Sequence, residues 1–157
     1  MNRRSFRIAM TGILLSVLVA IAAADDIRDE AVRKDQKQIE GTWRVMLLEV
    51  DGNKSRGEDA QRLTVVNGPD GSWSLRSDGK EIMKGTSTPD PTRKVRTIDF
   101  TPTEGDQKGL VYPGIYEISE KTRMLCFAPP GKERPTKFES APGTQHILVK
   151  FERVQSH

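Results

Sequence analysis

The chain of 157 residues carries one cysteine, two histidines and few aromatics, and each scarcity excludes something. A lone Cys126 cannot form an internal disulfide, so the fold must be held by its core. No histidine pair has zinc spacing, and no Gly-x-Ser-x-Gly turn occurs. Asp51-Gly52-Asn53 and Asp70-Gly71-Ser72 lack the ligand series of a calcium loop and read as turns. Ser119 and Ser140 stand in turns without an evident base. With no catalytic and no metal constellation, the expectation is a protein that is not an enzyme and carries no cofactor. Excess positive charge is also missing from most of the chain. The formal net charge is +3, but residues 1–24 hold Arg3, Arg4 and Arg7 and no acid, which leaves 22 basic against 22 acidic residues beyond them. That balance gives no footprint for nucleic acid, and no nucleic-acid partner is expected. Outside Ile8–Ala23 there is no long apolar run.

That one run sits in a targeting segment. Asn2-Arg3-Arg4-Ser5-Phe6-Arg7 is positive, Ile8–Ala23 is apolar, and Ala22-Ala23-Ala24 supplies small residues before Asp25. The pattern is that of a cleaved signal peptide over 1–24, and the run is at the short end for a membrane span. It predicts an exported protein, periplasmic or extracellular, with no stable membrane span after cleavage. Arg3-Arg4-x-Phe6 resembles the core of a twin-arginine signal, with Arg7 in place of an apolar residue.

Residues 25–40 read as a helix or leader. Asp25 or Asp26 can cap it, acids crowd its first turn, and Gly41 stops it. Its apolar positions are sparse (Ile27, Ala31, Val32, Ile39), as for a surface helix lying against the end of a domain. From 41 to 157 the chain becomes a series of short strands with turn signals between them. They fall at 42–50, 63–66, 73–76, 81–86, 95–100, 109–118, 124–127 and 146–154. Asp78-Gly79 is a hairpin turn signal. Eight short strands in one domain predict an all-β barrel. Period two puts Trp43, Val45 and Leu47 on one face, with Met46 and Leu48 opposite as a candidate exposed apolar patch. It likewise groups Ile98 with Phe100, Leu125 with Phe127, and Ile147 with Val149 and Phe151. A barrel of this size is either filled by side chains or holds one small ligand.

Gly41-Thr42-Trp43 at the head of the first strand resembles the lipocalin and fatty-acid-binding (calycin) group. The resemblance implies an up-and-down antiparallel β-barrel of about eight strands, preceded here by the N-terminal α-helix. It also implies that Trp43 closes one end with an arginine of the last strand across it. Arg153 stands in that place. The Arg-x-Tyr carboxylate clamp of the fatty-acid-binding branch is not evident, since Lys150-Phe151-Glu152 occupies the segment, and Asp51–Arg62 is too short for that branch's two-helix lid. A fuller likeness, over residues 35–154, is to a lipocalin-like domain family of planctomycete bacteria. It rests on Gly41-Thr42-Trp43, Glu49, Gly52, Ile98-Asp99-Phe100, Gly114-Ile115-Tyr116, the "LCFA" of 125–128, Arg134-Pro135 and Phe138. That likeness implies an exported β-rich fold and carries no activity with it.

The candidate ligand-binding residues are Arg134, Phe138, Glu49, Tyr116, Phe100 and Phe127. In the segment 126–140, Arg134 can pair with an anionic head group at the barrel mouth beside Lys132 and Lys137, or can anchor its own loop through carbonyls or an acid such as Glu49 or Asp99. Phe138 is either a ligand anchor or a plug. Glu49 points inward if period two holds along the first strand, and outward if a β-bulge intervenes. Tyr112 and Tyr116 flank Pro113-Gly114 and pack as strand aromatics or line a ligand. Cys126 reads as a small buried residue, with no neighbouring His or Lys to make it a thiolate. Two functions follow. One is a binding protein for a small apolar or amphipathic molecule, in a cavity lined by Val45, Leu47, Phe100, Phe127 and Val149. The other is a filled barrel serving as an interaction module for an envelope protein partner.

Overall fold

The computed structural model describes residues 11–155, with side chains from Ala20 onward. The positive start of the predicted signal, with Arg3, Arg4 and Arg7, lies outside the described residues. The order is α1 (Thr11–Ile39), β1 (Gly41–Val50), β2 (Asn53–Lys54), α2 (Gly57–Gln61), β3 (Leu63–Asn67), β4 (Ser72–Ser77), β5 (Lys80–Asp90), β6 (Thr97–Pro102), β7 (Tyr112–Ile118), β8 (Thr122–Phe127) and β9 (Ile147–Arg153). Every sheet pairing is antiparallel between neighbours. β1 also pairs with β9, so eight strands close into an up-and-down barrel. The two-residue β2 folds back on the far end of β1 and stays outside that ring.

The turns follow from their residues. Asp78 and Gly79 have φ of 51° and 81°, as a type I′ hairpin turn requires, and Ser77 faces Lys80 across it. Asp51-Gly52 turns β1 into β2 in the same way. β5 runs on past Thr86, where the sequence pattern ends it. Its pairing with β4 stops at Thr86, and Ser87–Asp90 pair only with β6. Pro89 therefore stands where a missing N–H costs no ladder bond on the open side.

The register of β1 overturns one expectation. Val45 faces Phe151, but Leu47 faces Lys150, with Met46 left over as a bulge. One extra residue exchanges the two faces beyond it. Leu48 and Val50, opposite Val149 and Ile147, therefore point into the barrel. Leu47 turns outward and packs with Ile115, Cys126 and Leu148. Met46 stays 39% exposed. The expected Met46–Leu48 patch thus does not form, and Glu49, opposite Leu148, faces away from the interior.

Helix α1 is longer than 25–40, since residues 11–24 continue it upstream. No helix of the described residues is long and apolar enough to cross a membrane. Ala20 to Glu30 is exposed throughout, although Arg28 reaches Asp90 of β5 at 3.6 Å, and the last turns are buried against the barrel. Ile39 and Asp35 are buried there. Trp43 Nε1 donates to the Ile39 carbonyl at 2.8 Å, and the Tyr116 hydroxyl donates to Asp35 Oδ2 at 2.6 Å. Arg96 reaches the same carboxylate oxygen at 3.3 Å. This end of the barrel is shut.

Candidate functional site

The closed end is built around Trp43 and Arg153, which face each other across β1 and β9. The Arg153 guanidinium lies 4.1 Å from the Trp43 ring centre. Its N–H groups donate to the carbonyls of Glu120 and Glu40, each at 2.8 Å, and of Gln38 at 2.5 Å. The carbonyls of Gln38 and Glu40 lie at the C-terminal end of α1, where unpaired carbonyls and the helix dipole favour a cation. One arginine thereby ties the helix, the first strand and the turn between β7 and β8 together.

Above this floor the interior is not filled. A cavity of about 380 Å³ runs up the barrel between Val45, Leu48, Val65, Phe100, Phe127 and Val149. The volume lies within the usual range of small-molecule sites. Trp73 meets Phe100 edge-on at 6.3 Å, and Tyr112 meets Phe127 edge-on at 6.2 Å, so one wall is aromatic. Val50 and Met83 line the cavity and are 40% and 41% exposed, which places its opening at the end away from α1. Nearly all of the lining is hydrocarbon.

The exceptions sit deep. Arg123, on β8, is 2% exposed, and Asn67, at the end of β3, is 4% exposed. Both line the cavity, and Arg123 Nη1 approaches Asn67 Oδ1 at 3.5 Å across the interior. The Phe151 ring lies 5.7 Å from the guanidinium carbon. Among the described residues no carboxylate pairs with Arg123, and Arg123 Nε, Arg123 Nη2 and Asn67 Nδ2 have no hydrogen-bond acceptor. Burial, and then the like charge of Arg153, pull the Arg123 pKa down to about 10. It still carries a full charge at neutral pH. Buried charges are ordinarily paired, so this one stands out.

The residues singled out from the sequence scatter. Phe100 and Phe127 line the cavity. Arg134 does not: it donates to the carbonyls of Ile98 at 3.1 Å and Gly114 at 2.7 Å, and pairs with Asp99 Oδ1 at 2.7 Å. It pins the segment after β8 onto the β6–β7 pair, as the anchoring alternative requires. Phe138 packs outside the barrel on the Ile115–Cys126–Leu148 cluster, so its segment covers an outer face and does not form the mouth. Tyr116 is buried on Asp35 beside the helix; burial, and then that hydrogen bond, push its phenol well above its ordinary pKa. Glu49 faces outward beyond the bulge. Cys126 is fully buried, its thiol donates to the Glu139 carbonyl at 3.4 Å, and burial raises its pKa, all of which makes it unreactive. Among the described residues no three metal-ligating side chains converge.

Sequence reasoning missed Arg123 and Asn67. The signal for the first was present. Arg123 shares period two with Leu125 and Phe127, so an arginine sits on the inward face of an otherwise apolar strand. No protein-family model, no curated protein and no solved structure matches the chain.

Proposed function

We propose that the protein is an exported binding protein for a small apolar or amphipathic molecule, held inside the barrel. The observation that carries this is the apolar cavity of about 380 Å³, open at one end and shut at the other by Trp43, Arg153 and α1. A preformed apolar concavity with a few convergent polar groups is the usual form of a ligand site. It argues against a barrel packed solid, the premise of an interaction module. The calycin-like Gly41-Thr42-Trp43 opening supports the same reading.

Export is supported by the charge and hydropathy of residues 1–24. Among the described residues, the ion pairs and hydrogen bonds linking α1 to the barrel begin at Arg28, so loss of 1–24 leaves the docked part of the helix in place. The reading assigns binding and no catalysis. Native mass spectrometry of the protein isolated from its own cells tests it. The expected result is an extra mass of a few hundred daltons that disappears on denaturation, on a chain beginning at Asp25. A clean ligand-free mass, with no uptake from a panel of lipids and metabolites, overturns it.

A further inference from the structure

We propose that Arg123 and Asn67 form a head-group subsite at the base of the cavity, and that the ligand is a medium-chain amphiphile with a carboxylate head, inserted head first. The inference rests on the binding reading above and adds the chemistry of what is bound. It stands on geometry. Three buried donors, Arg123 Nε, Arg123 Nη2 and Asn67 Nδ2, lack an acceptor among the described residues, and both side chains line the cavity. All three are N–H groups. What they need is a group that only accepts, and an ionised carboxylate offers two oxygens with about four lone-pair sites. A hydroxyl or an amide brings a donor of its own, for which Asn67 Oδ1, already accepting from Arg123, is the acceptor this pair offers, and neither brings a negative charge to the guanidinium.

The charge points the same way. Arg123 is a buried cation with no carboxylate partner among the described residues; the Tyr116 phenol favours its charge, and the like charge of Arg153 opposes it. Asp35, the buried acid at this end, is taken up by Tyr116 and Arg96. One anion at the base gives Arg123 the partner that the chain itself does not provide. Above it the walls are hydrocarbon up to Val50 and Met83, so the tail lies toward the open end. At roughly 30 Å³ per non-hydrogen atom, about the share of a water in the liquid, a cavity of about 380 Å³ takes a ligand of about a dozen such atoms. Decanoate has that size.

The test is calorimetric titration of the full-length protein with decanoate, decanol and decyltrimethylammonium, repeated on Arg123→Met. The wild-type protein is expected to bind decanoate at least about ten-fold more tightly than decanol, and the cation most weakly. In Arg123→Met the advantage of decanoate is lost while decanol binds within about three-fold of wild type. Decanoate and decanol binding the wild type alike overturns the subsite, since water alone then serves the three donors, and it leaves the binding cavity standing. Failure of all three amphiphiles to bind overturns the cavity reading and the subsite together. The wild-type comparison needs no variant, so a misfolded Arg123→Met does not shield the proposal. Thermal melting of the ligand-free proteins separates the roles further. Arg123→Met is expected to melt no lower than wild type, whereas an arginine kept for structure makes the variant melt lower.

Discussion

Arg134→Ala separates the anchoring role of Arg134 from a ligand role. The guanidinium holds the carbonyls of Ile98 and Gly114 and the carboxylate of Asp99. Ile98 is fully buried and Gly114 is buried, so their carbonyls have little access to replacement water. A hydrogen bond from a charged donor contributes about 1.5–3 kcal/mol in a buried setting. Arg134 and Asp99 side chains are 33% and 42% exposed. Screening therefore brings each carbonyl bond to about 1 kcal/mol and the ion pair below that. The sum is a loss of about 2–3 kcal/mol, or roughly 8–12 °C in Tm for a domain of this size. Circular dichroism melts measure it, and decanoate titration of the same sample shows whether the cavity is touched. The expected variant melts earlier and binds as before. An unchanged Tm with lost binding refutes the assignment and returns Arg134 to the ligand.

Arg153→Met removes the contact with Trp43 and three bonds to carbonyls at the closed end, and is expected to cost about 2–4 kcal/mol in urea unfolding. Gly85→Ala places a methyl group against the Thr101 carbonyl and the Trp73 ring. The carbonyl belongs to the paired strand and cannot be cleared by moving the ring alone, so β5 and β6 must part locally as the ring shifts, and a loss of at least about 2 kcal/mol is expected together with a changed Trp near-ultraviolet signal. In Tyr112→Phe the remaining tyrosine is Tyr116, whose phenol is raised by burial and by Asp35. Absorbance at alkaline pH is expected to show no tyrosinate in the folded protein at pH 11. A folded pKa above the unfolded value of about 10 also means that this stabilisation is complete below pH 10 and falls away above it. Normal titration near pH 10 without unfolding contradicts the buried contact.

The strands were legible because their ends are marked. Asp51-Gly52 and Asp78-Gly79 supply positive φ where hairpins need it, and alternation is clean in Val149-Lys150-Phe151-Glu152. The register of β1 was not legible, because Val45-Met46-Leu47-Leu48 is apolar at four positions in a row. Alternation has no phase there, so the bulge at Met46 leaves no trace: period two puts Leu47 on the wrong face and leaves the side of Glu49 open. Phe138 reads as an exposed anchor because the apolar cluster beneath it is assembled from four strands, β1, β7, β8 and β9, that lie side by side only in the closed barrel. Of the aromatic wall of the cavity, Phe100 and Phe127 follow from period two alone. Its polar base does not, because Asn67 and Arg123 stand 56 residues apart and meet only when the barrel closes.

The central claim is that the barrel encloses an apolar space and is not packed solid. Diffraction from ligand-free crystals under xenon pressure tests that most directly, because xenon enters dry apolar cavities. The account predicts xenon inside the barrel among Val45, Leu48, Phe100 and Val149. Side chains in mutual contact there, with no xenon between them, contradict it.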